Sequence, residues 1–299
     1  MNGSQVISLG SVSFQLKEKH DFEWLKSLGD VFCVFDEQDS GNICFGVEKN
    51  GTKRFVKYAG AKTLEYSGHP EDAIARLKRS ISLYQDLNHP HLINLLDYFE
   101  VENGYGLVFD WFNGECLHSH WSFPPPHKYN HPDSPFYRYK QLPIAYRLAS
   151  LKSIFEFHLH VEKKNYVAVD FYDGSILYDF KNNITKICDI DLYMAKPFIN
   201  TMGRLWGSSR FMSPEEFKLG AEIDEKTNVF NMGAIAFGLL GGELDRSFLK
   251  WDAGHELYEV ALKAVEEDRS RRYSSVEDFF IAWNIASKKM IELINTIKH

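Results

Sequence analysis

The sequence predicts an α+β protein of two lobes, a small one built on a five-stranded antiparallel sheet and a larger, mainly helical one. Short β-rich runs separated by turn signals fill the chain before residue 110, and helical stripes of apolar residues fill it after residue 142. At 299 residues, 44% apolar and 25% charged, the chain can bury a sizeable core. We expect an N-terminal extension at 1–29, a small lobe at 30–110 and a large lobe at 111–299, with an insertion at 118–142.

The small lobe should contain five strands and one helix. The Asn50-Gly51 turn is a strong hairpin signal. A proline and two acids at Pro70-Glu71-Asp72 favour a helix start there, and apolar residues continue at helical spacing to Leu87. The predicted strands are Val31–Phe35, Asn42–Val47, Lys53–Tyr58, His91–Phe99 and Gly104–Phe109.

The large lobe should be mostly helix. Its apolar residues recur at helical spacing, and the run from Val229 to Leu240 is apolar enough for a helix buried on all sides. Two short strands are predicted at Ile176–Tyr178 and Ile184–Cys188. The predicted helices are Pro143–His160, Pro214–Leu219, Asn228–Leu240, His255–Glu267 and Val276–Ala286.

Composition narrows the classes of partner. A net charge of -7 and a pI near 6.0 disfavour binding to nucleic acid, which usually requires a basic surface. The four cysteines have no C-x-x-C spacing, which is typical of reduced thiols. No secretory signal is visible in the first thirty residues, and the longest apolar run is too short for a bilayer. We therefore expect a cytoplasmic protein with no membrane or nucleic-acid partner.

The insertion at 118–142 holds a proline run and four histidines, which suggest two alternatives. Imidazoles are good zinc ligands, but these do not follow a fixed zinc spacing and Cys116 is the sole nearby thiol. We favour a polar surface insertion over a metal site. The histidines are His118, His120, His127 and His131.

Three segments carry the strongest functional signal. They are, in chain order, Val169–Ser175, Cys188–Asp191 and Gly207–Glu215. They resemble the catalytic loop, the metal-binding Asp motif and the A-P-E end of the activation segment of protein kinases. Lys57, at the end of a predicted strand, is similar to the phosphate-binding lysine of the same family.

Further segments carry the same resemblance over roughly residues 30 to 290. Asn88–Ile93 resembles the H-P-N-I-V motif, Leu107–Gly114 the hinge and Asn228–Gly233 the central helix of the large lobe. Asp268–Tyr273 resembles D-P-x-x-R-P, which implies an ion pair between Arg272 and Glu215. The chain is thus identified as a member of the protein kinase-like superfamily, with a two-lobed kinase-like fold.

The resemblance implies a phosphotransferase that uses ATP and Mg²⁺ or Mn²⁺ and acts on a protein substrate of unknown identity. Asp170 and Lys57 would be catalytic. Asp189, Ser175 and Asp191 would hold the metal. The cofactor-binding residues would be Lys57, Gly41, Ser175, Phe109 as gatekeeper, and Asp110, Trp111 and Phe112 through their backbone.

Departures from the family pattern bear on activity. The expected Gly-rich loop reads Asp36-Glu37-Gln38-Asp39-Ser40-Gly41, with three acids where phosphates would lie. The residue before Asp170 is Val169, so activity should not need a phosphorylated activation segment. The remaining departures are Ala168 for the histidine, Ser80 for the helix glutamate, Ser175 for the asparagine, Asp191 for the D-F-G glycine and Asn228 for the helix aspartate.

Three functions are compatible with these motifs. The first is an atypical kinase that phosphorylates Ser or Thr of proteins, and we favour it because Lys57, Asp170 and Asp189 are retained. The second is a pseudokinase acting as a nucleotide-binding or scaffolding module. The third is a small-molecule kinase, which the Gly207–Glu215 segment disfavours because protein kinases use that segment to receive peptides.

Overall fold

The computed structural model describes residues 4–118 and 121–297 and divides into two compact units. The first unit comprises Met1–Asn88 and Ile93–Asn113, and the second comprises His89–Leu92 and Gly114–His299. The first carries an antiparallel sheet and the second is mainly helical. The predicted α+β class and kinase-like architecture are confirmed.

A five-stranded sheet is the centre of the first unit. Its strand order is β3-β4-β5-β7-β6 and every neighbouring pair is antiparallel. A two-stranded hairpin and a short helix precede it in the chain. The elements are β1 Gln5–Leu9, β2 Val12–Leu16, α1 Leu25–Leu28, β3 Asp30–Phe35, β4 Asn42–Lys49, β5 Thr52–Ala59, α2 Pro70–Asp86, β6 Leu95–Val101 and β7 Gly104–Asp110.

The strand predicted at His91–Phe99 is wrong at its start. Strand β6 begins at Leu95, and His89–Leu92 belongs to the second unit. The backbone turns here, since the Leu92 N–H donates to the His89 carbonyl at 3.0 Å and Leu92 then bridges to Ile187 in parallel. The His91 carbonyl also accepts the Ile187 N–H, so this backbone pairs within the second unit, which explains why β6 begins only at Leu95.

The two faces of the sheet are covered by different segments. One face packs against the N-terminal extension, where Phe14 and Phe22 join Phe45, Val56 and other buried residues in one cluster. The opposite face packs against α2, because Tyr84 meets the ring of Phe109 at 4.9 Å. The extension is therefore part of the core of the first unit. Residues 1–3 of the predicted extension lie outside the described residues.

The second unit consists of helices joined by short strands. Its strands are β8 Glu115–Cys116, β9 Tyr166–Val167, β10 Ile176–Asp179, β11 Ile184–Ile187, β12 Met194–Ala195, β13 Phe198–Ile199 and β14 Glu222–Ile223. Its helices are α3 His127–Asn130, α4 Pro135–Lys140, α5 Ile144–Lys163, α6 Glu225–Leu240, α7 His255–Ala264 and α8 Val276–Ile297.

Helix α6 is the central element of this unit. Every residue from Thr227 to Leu240 is buried, and the burial from Val229 onward agrees with the predicted buried helix. The helix begins where the Asp224 carboxylate accepts the N–H of Lys226, a standard N-cap. Phe155 of α5 packs edge-on against Trp283 of α8 and extends the core.

Several predicted helix boundaries differ from the structure. Helix α5 runs to Lys163, beyond the predicted His160, and α6 begins at Glu225, ahead of the predicted Asn228. The segment from Pro214 forms a single 3-10 turn that ends at Phe217, ahead of the predicted Leu219, and a capping box of Ser213 and Glu216 stabilises its start. Helix α7 ends at Ala264, ahead of the predicted Glu267. Helix α8 continues to Ile297, eleven residues beyond the predicted Ala286.

The insertion is not the polar surface segment that we predicted. It contains α3 and α4, and Phe136 and Tyr139 are buried in the core. Lys128 is only 1% exposed, so a charged side chain of the insertion lies inside the unit. His120 lies outside the described residues.

Candidate functional site

The first unit places Lys57 on the sheet face that α2 covers. Side chains alternate along a strand, and Lys57 lies between Val56 and Tyr58, which point into the extension cluster. Lys57 is 7% exposed and pairs across the strands with Leu107. A cation is therefore fixed on a largely buried face.

Phe109 and the residues after it form a rigid strand end. The ring of Phe109 is fully buried between Phe55 and Tyr84. The backbone N–H of Asp110 donates to the Asn94 carbonyl at 3.1 Å, and its carboxylate accepts the Asn94 side-chain amide at 2.9 Å. These two hydrogen bonds fix strand β7 as far as its last residue, Asp110.

Beyond β7 the chain continues in irregular backbone. Trp111 packs edge-on against Phe32 at 4.9 Å, and its indole N–H donates to the Asn113 side chain at 2.9 Å. Phe112 is half-buried. These contacts fix the segment without adding it to the sheet.

The loop between β3 and β4 is fastened to its neighbours. Gly41 has φ +76°, and a Cβ there would lie 2.6 Å from the ring of Tyr66. Arg76 of α2 donates to the carbonyl of Ser40. The close approach of Tyr66 by itself explains the glycine at this position.

Ser80 is the position that the resemblance to the family matches to a glutamate. It is fully buried, and its hydroxyl donates to the Leu77 carbonyl at 2.9 Å. Ser80 shares the buried side of α2 with Leu77 and Tyr84, and Tyr84 packs on the sheet face that carries Lys57. The sequence match of Ser80 to an inward-facing helix position therefore agrees with the geometry.

In the second unit, the loop around Asp170 is held through its backbone. Asn228 accepts the Ala168 N–H at 2.9 Å, and Asn231 donates to the Phe171 carbonyl at 2.9 Å. Asp170 has φ +65°, a conformation that few residues other than glycine adopt. Two buried amides of α6 therefore hold the loop on either side of Asp170.

A hairpin brings Ser175 next to the Asp189 motif. Ile176 of β10 pairs with Ile187 of β11, and the N–H of Cys188 donates to the Ser175 carbonyl at 2.9 Å. Asp189 follows directly, with φ +57° and an exposed side chain, whereas Asp191 is half-buried. Ser175 and Asp189 thus lie on adjacent backbone.

The charges of Asp170 and Asp189 both affect the pKa values of two tyrosines. Burial raises the pKa of Tyr172 well above its ordinary value, and the charges of Asp170 and Asp189 raise it further. The pKa of Tyr193 is raised in the same way, by burial first and then by the same two carboxylates. Asp170 and Asp189 therefore belong to one electrostatic environment.

Asp173, in the same loop, is the centre of a buried ionic cluster with Lys128, Arg210 and Glu243. Burial alone would raise the pKa of the Asp173 carboxyl. A hydrogen bond from His118 and the charges of Lys128 and Arg210 outweigh burial and hold that pKa well below its ordinary range.

Oxygen donors next to Asp189 are suited to a hard cation. The carboxylates of Asp189 and Asp191 and the hydroxyl of Ser175 are the donor types that Mg²⁺ prefers, and Mg²⁺ commonly binds one or two carboxylates together with substrate phosphates and water. Within residues 4–118 and 121–297 no group of three or more His, Cys, Asp and Glu side chains is arranged to hold a metal.

No helix in this described part could span a membrane.

Sequence reasoning missed the cluster and the two tyrosines. Asp173 and Arg210 lie inside segments whose resemblance was recognised, yet nothing local indicates that they pair. Lys128 carries no sequence signal at all, because its partners Asp173 and Glu243 are distant in the chain.

Comparison with known proteins identifies a family. The protein kinase domain profile matches residues 40–299. The serine/threonine-protein kinase PrkC of Bacillus subtilis is 22% identical over 227 residues, covering 69% of this chain and 32% of that protein. The serine/threonine-protein kinase pkn2 of Myxococcus xanthus is 22% identical over 249 residues, 73% of this chain and 28% of that one.

An Aurora kinase of Candida glabrata is 25% identical over 231 residues, 74% of this chain and 54% of that protein. The matched part of the chain spans between about a quarter and about half the length of these three relatives. The profile match covers most of the chain and includes Lys57, Asp170, Asp189 and Glu215. By this match and by its fold, the chain belongs to the protein kinase domain family.

Proposed function

We propose that this chain is an atypical ATP-dependent protein kinase that transfers the γ-phosphate of ATP to Ser or Thr hydroxyls of a protein. Family membership and serine/threonine-kinase relatives support a phosphotransferase of this type. Retention of Lys57, Asp170 and Asp189 supports activity over a purely scaffolding role.

One observation supports the proposal most directly. The hydrogen bond from the Cys188 N–H to the Ser175 carbonyl fastens the Asp170 loop to the Asp189 motif. Phosphoryl transfer depends mainly on positioning and electrostatics, so two carboxylates on a fixed backbone are what the chemistry requires.

Each retained residue has a distinct role in this proposal. Asp170 would accept the proton of the substrate hydroxyl and orient it. Lys57 would place a cation on the phosphates, and the backbone of residues 110–112 would bind the adenine next to Phe109. Gly41 and its loop would lie over the phosphates.

Asp189, Asp191 and Ser175 would hold Mg²⁺ or Mn²⁺. The metal, when bound, neutralises charge on the phosphate oxygens. Ser175 can contribute a neutral oxygen where the family has an asparagine, and the neighbouring carboxylates can supply the charge.

One feature favours the alternative, a pseudokinase that binds nucleotide or a partner without transferring phosphate. The loop before Gly41 carries Asp36, Glu37 and Asp39. A carboxylate 4 Å from a phosphate oxygen repels it by about 4 kcal/mol at an effective dielectric near 20. These side chains must point away from the phosphates for transfer to proceed.

The deciding experiment is transfer of radiolabelled phosphate from ATP to the chain itself and to casein, with Mg²⁺ or Mn²⁺. Asp170→Asn should abolish incorporation while leaving the fold intact. Asp133→Asn is the matched control, because the Asp133 side chain is 85% exposed and lies outside the proposed site. Equal incorporation by wild type and Asp170→Asn, or none by wild type, would favour the pseudokinase.

A further inference from the structure

A buried ionic cluster joins four segments of the second unit that are far apart in the chain. Asp173 belongs to the loop of Asp170 and Arg210 to the segment before Glu215. Lys128 belongs to the insertion, and Glu243 to the turn that follows α6. The Lys128 ammonium lies 2.6 Å from both carboxylates.

Arg210 makes the most specific contacts in this cluster. Its two terminal nitrogens each lie 2.9 Å from a different oxygen of Asp173, which is a bidentate pair. One of these nitrogens also lies 2.6 Å from Glu243. The planar guanidinium binds both oxygens of one carboxylate at once, and a lysine ammonium cannot reproduce this fork.

The cluster balances its charge within the unit. Lys128 and Arg210 face the carboxylates of Asp173 and Glu243, and His118 also lies 3.4 Å from Asp173. The side chains of Asp173 and Lys128 are 0% and 1% exposed. Arg210 and Glu243 are 17% and 10% exposed. Because water is largely excluded, each pair interacts more strongly than at the surface, and loss of one partner leaves a buried charge uncompensated.

Glu243 itself is held in an unfavourable backbone conformation. Its φ is +59°, which a side chain other than Gly, Asn or Asp rarely adopts. Such a conformation persists only where surrounding contacts outweigh its cost. Here Lys128 and Arg210 bind one carboxylate oxygen of Glu243, and the Tyr129 hydroxyl donates to the other at 2.8 Å.

This arrangement is the electrostatic equivalent of a phosphate-ordered segment. A phosphate orders a loop by pairing with a nearby arginine. The residue before Asp170 is the buried, apolar Val169, so it offers no cation there. Here the positions of the charges are exchanged. The cation, Arg210, lies on the segment that leads to Glu215, and the anion, Asp173, lies on the Asp170 loop.

We propose that Arg210 is a positioning residue that holds the segment leading to Glu215 against the Asp170 loop, without phosphorylation of that segment. The insertion contributes through Lys128, which shares both carboxylates with Arg210. The part that concerns turnover rests on the proposed kinase activity, whereas the part that concerns order of the segment does not.

The experiment uses the full chain, treated with a phosphatase and shown by intact mass to be unphosphorylated. Hydrogen exchange is measured for amides 199–212 in wild type, Arg210→Lys and Arg210→Gln. Lys128 still pairs with both carboxylates in these variants, so the unit should fold. Arg271→Gln is the control, since Arg271 is 68% exposed.

We expect slow exchange in wild type and Arg271→Gln, exchange at least about tenfold faster in Arg210→Gln, and partial rescue by lysine. In turnover, kcat of Arg210→Gln should fall on the order of 100-fold, as for a misplaced catalytic group. The KM for ATP should stay within about twofold, because the nucleotide contacts are unchanged.

Equal exchange in wild type and Arg210→Gln would overturn the proposal, as would wild-type kinetics that require phosphorylation of Thr201, Ser208 or Ser209. If Arg210→Gln does not fold, Arg210→Lys decides, because it keeps the charge and loses the fork. A wild type that transfers no phosphate contradicts the proposed function, while hydrogen exchange still decides the role of Arg210.

Discussion

Arg272 and Glu215 form a buried bidentate ion pair. One terminal nitrogen of Arg272 lies 2.7 Å from Oε1 of Glu215 and the other lies 3.0 Å from Oε2. Burial alone would raise the pKa of Glu215, but the hydrogen bonds and charge of Arg272 outweigh it and lower that pKa. The pair that the resemblance implied is confirmed, and it links the end of the activation segment to the segment before α8.

We predict that Arg272→Ala lowers the free energy of unfolding by about 3 to 5 kcal/mol, because Glu215 is left as a buried, unpaired charge. The Arg272 side chain is 0% exposed. Urea denaturation of the purified chain measures the change. Arg271→Ala, at an exposed neighbour, should stay within about 0.5 kcal/mol of wild type. If both variants unfold at the same urea concentration, the pair is not structural.

We predict that Asp189→Asn removes the rise in melting temperature that ATP and Mg²⁺ produce in wild type. The carboxylate of Asp189 is exposed on the strand-end loop next to Ser175, where it can reach a metal bound to phosphates. Thermal melting with and without Mg·ATP measures the effect, with Asp133→Asn as the matched control. A full thermal shift in Asp189→Asn would place the metal elsewhere.

The parts of the fold that sequence predicts are those with local signals. The Asn50-Gly51 turn and the proline start of α2 locate β4, β5 and the helix within a few residues. Family motifs locate Lys57, Asp170 and Asp189 in the same way, although their roles remain predictions. The structure adds that Asp170 and Asp189 have positive φ.

What sequence does not reveal depends on long-range pairing. Arg210, Lys128 and Glu243 are polar residues without a recognisable pattern, and only tertiary structure shows that they surround Asp173. The N-terminal extension was predicted, but its hairpin and its packing on the sheet were not, for a related reason. Phe14 of the hairpin and Phe22 after it pack on the sheet, and a short hairpin without such packing is only marginally stable.

We predict that His158 makes the chain less stable in acid. It is fully buried, with Nδ1 donating to the Ile154 carbonyl at 2.8 Å and Nε2 accepting from the Tyr193 hydroxyl at 2.9 Å. Burial lowers the pKa of His158 from 6.5 to about 3. The unfolded chain therefore binds a proton below about pH 6.5 that the folded chain does not.

We compare the free energy of unfolding of wild type with that of His158→Gln. The stability of wild type relative to the variant should fall by up to about 1.4 kcal/mol for each unit by which the pH is lowered between about 6 and 4. Taking this difference removes the opposing effect of Glu162 and Glu216, whose pKa values burial raises to about 7. Urea midpoints across this range provide the measurement, and His255→Gln, at an exposed histidine, is the control. A difference that does not vary with pH would show that His158 is not held neutral.

We predict that Ser80→Glu strengthens ATP binding by at most about 1.5 to 3 kcal/mol, the value of a charged hydrogen bond. The new carboxylate would extend from the buried side of α2 toward the sheet face that carries Lys57, and a lysine oriented by a carboxylate is better placed for phosphates. Isothermal titration with Mg·ATP measures the gain as a fall in Kd. Ser82→Glu is the matched control, because it adds the same charge on the exposed side of the same helix. Two outcomes would contradict this prediction: the two variants bind ATP equally, or neither binds better than wild type while Lys57→Ala abolishes binding. In either case Lys57 is oriented by another residue, and the correspondence of Ser80 with the family's glutamate is wrong.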